Sequence, residues 1–173
     1  MNMKKIGILI TLGMVALFLS ACGESEKEEI TSLHNSFHDL TEDIEGKMEE
    51  SEEIFMQYLN GTVDESEFED MKDDLTGYIS DKKSEIDKIN KPKKDKAVEY
   101  YDISKKALLG AYDMIELIVD IPDLTDEAAI IEYGETIEGK TEEVEGDMKA
   151  VEEFQNDLKE EDDDYKELFE DED

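Results

Sequence analysis

From about residue 28 to residue 168, apolar side chains return every three or four positions, the period of a helix with one buried face. The first such stripe runs from about Glu28 to Leu59 through Ile30, Leu33, Phe37, Leu40, Ile44, Ile54 and Tyr58. Met48 and Phe55 widen it, Lys47 and Ser51 interrupt it, and Asn60-Gly61 stops it. Thr62 opens a second helix, with Glu65 at capping-box spacing. Its stripe is Phe68, Met71, Leu75, Tyr78, Ile79, Ile86 and Ile89, and it ends near Asn90 because Pro92 turns Lys91 away from helical geometry.

Pro92 suits the first turn of a third helix. There Ala97, Tyr101, Ser104, Leu108, Tyr112, Ile115 and Val119 form one face, and Ile103, Ala107, Gly110, Met114 and Leu117 form another. Two apolar faces predict the most buried helix of the set, ending at Asp120-Ile121-Pro122-Asp123. A long fourth helix is expected from near Thr125, through Ile130, Tyr133, Ile137, Val144, Val151, Phe154, Leu158, Tyr165 and Leu168. Gly134, Gly139 and Gly146 either admit a close helix crossing or loosen this segment, and the like charges after Glu160 should fray its end. The expected fold is all-α: an elongated antiparallel up-down bundle of about four helices over residues 30–160, followed by an acidic frayed tail over 161–173. Three helices or a long bent hairpin are the alternatives.

Upstream the pattern changes. Lys4 and Lys5 precede an apolar run from Ile6 to Phe18, and then comes Leu19-Ser20-Ala21-Cys22. This resembles the lipobox of bacterial lipoproteins, in a signal-peptide setting. The resemblance implies cleavage before Cys22, a diacylglyceryl group on that cysteine, and attachment to the extracytoplasmic face of the cell membrane. Residues 1–21 are then a signal peptide and 22–29 a lipidated tether. The alternatives are an uncut signal anchor, for which the run is shorter than the roughly 20 residues of a typical span, and a secreted protein with a cysteine there by chance. At about 3.5 Å per residue the tether reaches less than ~30 Å.

Charge narrows the functional classes. The 173 residues include 51 acids against 18 basic residues, all of them Lys. Loss of Lys4 and Lys5 with the leader takes the net charge from −33 to −35. Nucleic-acid binding needs a basic face and is not expected. The missing Arg hints at an A+T-rich, Gram-positive source. Cys22 is the single cysteine, so packing rather than disulfides must hold the fold.

Candidate chemistry is sparse. His34 and His38, four apart, can share a helix face and so a metal ion, with Asp39 or Glu42 assisting. Asn35 stands where a metalloprotease helix would carry its Glu, however, and the expected state is two exposed rings flanking Phe37, with no metal and no cofactor. No catalytic residue is singled out. Lys82, Lys83, Lys88, Lys91, Lys93, Lys94 and Lys96 cluster around the turn between the second and third helices. In an up-down bundle that turn faces the membrane, so these lysines are expected to contact anionic lipid or the protein's own acidic tail.

In layout the chain is similar to small helical lipoproteins of Gram-positive bacteria described as cell-wall-binding. The expectation is a membrane-anchored, surface-exposed, non-enzymatic lipoprotein acting as a structural or interaction module. Its partner would be a wall polymer or an envelope protein. An alternative is an immunity or exclusion lipoprotein that binds a cationic peptide or phage component. A minor one is that the cleaved leader, Val15 to Ala21, serves as a signalling pheromone precursor.

Overall fold

A computed structural model describes residues 25–42, 44–122 and 125–169. The leader, the lipobox and Cys22 lie outside the described residues. Those described form an all-α bundle: α1 (Glu26–Thr41), α2 (Ile44–Leu59), α3 (Glu65–Lys88), α4 (Asp95–Val119), α5 (Glu127–Glu161) and α6 (Asp164–Phe169).

Local chemistry sets the boundaries. A capping box opens α1: the Glu28 N–H donates to Ser25 Oγ at 3.2 Å and the Ser25 N–H to Glu28 Oε2 at 2.6 Å. The expected continuous first helix is divided in two. At the end of α1 the Thr41 hydroxyl donates to the His38 carbonyl at 2.8 Å, and that carbonyl also takes the Glu42 N–H. Ser51 makes the same kind of bond to the Met48 carbonyl within α2 without ending it, so the Thr41 bond alone does not account for the division. The expected stop at Asn60-Gly61 is present: Gly61 has φ +64°, its N–H donates to Tyr58, and the Thr62 N–H donates to Gln57.

Two expected helix starts move. The Thr62 hydroxyl is engaged by the Gln57 carbonyl at the end of α2. Asp64 therefore caps α3 in its place, accepting from Ser66 and Glu67, while Glu67 reaches back to the Asp64 N–H. Pro92 lies before α4 rather than in its first turn. The Glu29 carboxylate holds that linker by accepting the Lys93 and Lys94 N–H groups at 2.9 and 3.0 Å. The long helix starts two residues later than Thr125, with Asp126 accepting from Ala128 and Ala129.

As its two apolar faces predict, α4 is the central helix. It packs against α1, α2, α3 and α5, and buries Tyr100, Tyr112, Ile115 and Val119 almost completely. Cross-helix pairs fix the directions. Lys72 meets Asp120 and Lys105 meets Asp87, so α3 and α4 are antiparallel. Lys140 meets Asp113 and Lys106 meets Asp147, so α4 and α5 are antiparallel as well. On α1, His34 lies at Tyr100 and Leu40 at Tyr112, which makes α1 parallel to α4. This is the up-down order.

α5 is the least enclosed helix. At 1.5 Å per residue its 35 residues span about 52 Å, yet only Leu158 is buried. Its close approach to α4 occurs at Gly110, where an added Cβ would lie 3.3 Å from Val144 Cγ2. Gly134, Gly139 and Gly146 face open space, so the expected crossing glycine sits on the partner helix. The expected fraying after Glu160 does not extend through residues 164–169: the chain turns at Asp162–Asp163 and α6 folds back, burying Tyr165 and Phe169.

Candidate functional site

α1 and α5 both pack on α4, and between them runs a groove of about 770 Å³. Ser104, Ala107 and Leu108 of α4 line its floor with Tyr100. Phe37, His38 and Thr41 come from the α1 side, and Val144, Met148 and Val151 from the α5 side. Met148 is 49 % exposed, whereas the floor residues beneath the groove are buried.

A polar cluster lies at one end. His34 Nδ1 is 3.2 Å from the Tyr100 hydroxyl, which also accepts from Gln155 Nε2 at 3.2 Å. The Phe169 ring stands edge-on to His34, with centroids 5.0 Å apart, so α6 closes this end. The expected pair of exposed histidines is therefore half right. His38 is exposed, but His34 is buried, because the returning α6 covers it. Their rings stack at 6.1 Å, and His38 Nε2 lies 3.8 Å from Glu42. No group of three or more potential metal ligands occurs among the described residues.

Ser104 stands out chemically. It is 5 % exposed, and its hydroxyl has no hydrogen-bond partner among the described residues. A buried polar group left unpaired costs about 1–3 kcal/mol, so such groups call for an explanation. On the rim, Glu145 and Glu152 of α5 make no ion pair among the described residues, whereas Lys149 between them is engaged by Glu153 at 3.3 Å. The uncompensated charge on this edge is negative.

The lysine cluster divides. Lys82 pairs with Glu85, Lys83 with Asp113 and Glu116, Lys91 with Asp102, and Lys96 with Glu161 near the end of α5. Its two carboxylate partners hold the Lys83 ammonium above its usual range against the opposing effect of burial. Lys88, Lys93 and Lys94 form no ion pair among the described residues. Through Glu29 their turn is held against the first turn of α1, four residues from the tether's Ser25. The α5–α6 turn joins the same end, where Asp164 meets Lys27 at 2.6 Å.

The groove was only partly legible. Ser104 falls on the apolar stripe of α4, and a polar residue on a buried stripe is a readable signal. Gln155 and Phe169 carry no such mark, because their roles depend on how α5 and α6 return to α1. No family model, curated protein or solved structure matches the chain.

Proposed function

We propose that this protein is a lipid-anchored, non-enzymatic binding module of the bacterial cell envelope. Cys22 carries the diacylglyceryl anchor within the lipobox Leu19-Ser20-Ala21-Cys22, and the bundle stands on the extracytoplasmic face of the membrane. The observation that carries the binding role is the α1–α5 groove, along whose α5 side Met148 is left half exposed between the partly exposed Val144 and Val151. Lys88, Lys93 and Lys94, close to the tether, turn that end of the bundle toward the bilayer.

Between the two classes of partner, the uncompensated rim carboxylates favour a cationic peptide or protein over an anionic wall polymer, which the acidic body would repel. That leaves cell-wall binding as the second reading, favoured only by the overall layout of the chain. Two measurements test the proposal. Mass spectrometry of the protein from its native envelope should show the diacylglyceryl group on Cys22, and Cys22→Ala should release the chain from the membrane fraction. Residues 23–173 immobilised and exposed to envelope extract should retain a specific protein or peptide. Retention of wall polymer alone would move the assignment to wall binding.

A further inference from the structure

Two polar hollows adjoin at the tether end of the bundle, between α1 and the linker that joins α3 to α4. The lining of one, of about 670 Å³, includes Ser32, Asn90, Lys91, Lys93 and Lys94. That of the other, of about 360 Å³, includes Ser32, Ser36, Lys88 and Asn90. We infer that together they form a binding site for the phosphodiester headgroup of an anionic phospholipid, an inference that rests on the reading of the chain as lipid-anchored at Cys22. Ser32 and Asn90 belong to both hollows, Lys88 only to the second, and Lys93 and Lys94 only to the first. A phosphate over the shared pair is thus flanked by lysines from both hollows. All five of these side chains are exposed, so a ligand can reach them.

The charge of this site runs against that of the chain. Acids outnumber lysines by 51 to 18, yet among the described residues Lys88, Lys93, Lys94 and Lys159 form no ion pair. Three of those four gather here. The carboxylates in the lining are already engaged: Glu29 accepts the Lys93 and Lys94 N–H groups, and Glu85 lies 3.6 Å from Lys82. The charges of Lys94 and Lys93 also act on Glu29, but one carboxylate against two ammonium groups leaves a positive excess. Lys91 is paired with Asp102 at 2.8 Å and is not counted in that excess. An ammonium is a compact point charge that suits phosphate oxygens. The Ser32 hydroxyl and the Asn90 amide make no side-chain hydrogen bond among the described residues. They supply donors for the phosphate and acceptors for headgroup hydroxyls. The tether points to the source. α1 begins at Glu26, four residues after Cys22, or at most about 14 Å of extended chain, and Ser32 lies about 9 Å further along the helix. Headgroups of the leaflet that holds the anchor are the phosphodiesters nearest the site.

The test uses the mature chain from Gly23 and three probes: phosphatidylcholine vesicles with and without phosphatidylglycerol, soluble glycerophosphoglycerol, and a soluble glycerol phosphate oligomer. Flotation across a lipid titration at physiological salt reads vesicle binding, and NMR amide shifts locate the soluble probes. Ser32→Ala with Asn90→Ala leaves every charge in place. It should weaken binding to the phosphatidylglycerol vesicles about tenfold, the effect of losing hydrogen bonds to a charged group. Glycerophosphoglycerol should shift the amides of Ser32, Asn90 and Lys94 in the wild type and not in the double variant. If the double variant binds vesicles as the wild type does, while Lys88→Glu, Lys93→Glu and Lys94→Glu together abolish binding, the attraction is diffuse and the site is refuted, with the anchored orientation left standing. Tighter binding of the oligomer than of vesicles at matched phosphate would overturn the lipid source in favour of a wall polymer. If no probe shifts Ser32 or Asn90, the site is refuted as well, and the lipid on Cys22 is decided separately by mass spectrometry. Circular dichroism of each variant guards against loss of fold, and the substituted positions are exposed.

Discussion

Three tyrosine hydroxyls finish three helices. Tyr112 donates to the Leu40 carbonyl at 2.8 Å at the end of α1, and Tyr101 to the Ile89 carbonyl at 3.3 Å just past α3. Tyr133 shares its proton between Leu117 and Ile118 at the end of α4. Each meets a carbonyl near a helix end, where intrahelical donors run out, although the Leu117 carbonyl also takes the Asp120 N–H. Burial pushes the Tyr133 hydroxyl up to about 12, so it remains a donor throughout the neutral range. Helical periodicity correctly assigns all three rings to apolar stripes. It cannot say where their hydroxyls point, because the acceptors lie on other elements. Tyr112 and Ser104 are thus opposite cases of a polar atom on α4, one satisfied and one not. Tyr112→Phe should lower stability by about 1–2 kcal/mol, since it strands a buried carbonyl. Ser104→Ala should leave stability unchanged or raise it by up to about 1 kcal/mol, since it removes an unpaired hydroxyl and adds a better helix former. Urea midpoints of the two variants decide, and a large loss from Ser104→Ala would mean that its hydroxyl has a partner after all.

Glu29 is the residue whose ionisation the fold uses most directly. The backbone N–H groups of Lys94 and Lys93 hold its carboxyl below the usual carboxylate range. A carboxyl depressed in the folded state contributes stability that is fully present above its unfolded value, and loses it as pH falls through the folded value. The gap in melting temperature between wild type and Glu29→Gln should therefore be constant near neutrality and close only under acid conditions below that range. A gap that instead widened on acidification would show that the carboxylate does not act through these N–H groups. The contact joins residues 64 and 65 positions apart in the chain, which is why Glu29 reads in the sequence as one more acid on a solvated tether.

At the scale of elements, periodicity located the helices well and their joints poorly. The stripes on α3 and α4 match the buried positions closely, because each helix has a fixed face against neighbours. The division between α1 and α2 was hidden, since the apolar stripe continues from Leu40 to Ile44 across it. α6 was hidden for the opposite reason. Its acids suggest solvation, but Tyr165 and Phe169 find cover on α1 and α4, with Phe169 against His34 and Tyr100. The glycines test how α5 is mounted. Gly134→Ala and Gly139→Ala place a methyl group in open space and should each stabilise by up to about 1 kcal/mol through helix propensity alone. Gly110→Ala gains the same propensity but presses on Val144, so its benefit should be cancelled or reversed. Thermal melts of the three variants check this ordering, and a Gly110→Ala variant more stable than the other two would mean that α4 and α5 separate readily.

If the chain is cut and anchored at Cys22 as proposed, its charge of −35 has to be reconciled with an anionic membrane. Distance resolves it. Screening at physiological salt confines charge effects to about 8 Å, whereas α5 alone is about 52 Å long, so most of the acidic body lies beyond the reach of lipid charge. The end beside the tether decides the interaction. Four of its described acids are engaged: Glu29 by backbone N–H groups, Glu161 by Lys96, Asp164 by Lys27, and Asp163 by Lys166. Lys88, Lys93 and Lys94 are exposed and form no ion pair among the described residues. At about 1 kcal/mol each near an anionic surface, three lysines supply at most roughly 3 kcal/mol, a factor of about a hundred. That is too little for stable attachment and enough to orient the protein if it is held by a lipid on Cys22, as proposed. The chain from Gly23 should therefore float weakly with vesicles containing phosphatidylglycerol and not with neutral ones. Reversal of the three lysines to Glu should abolish the difference, while reversal of Lys72 and Lys140, which lie further up the bundle and pair with Asp120 and Asp113, should not. If wild type and the triple variant floated alike, these lysines would serve to balance the chain's own carboxylates, and the orientation of the groove above the membrane would be set by the tether alone.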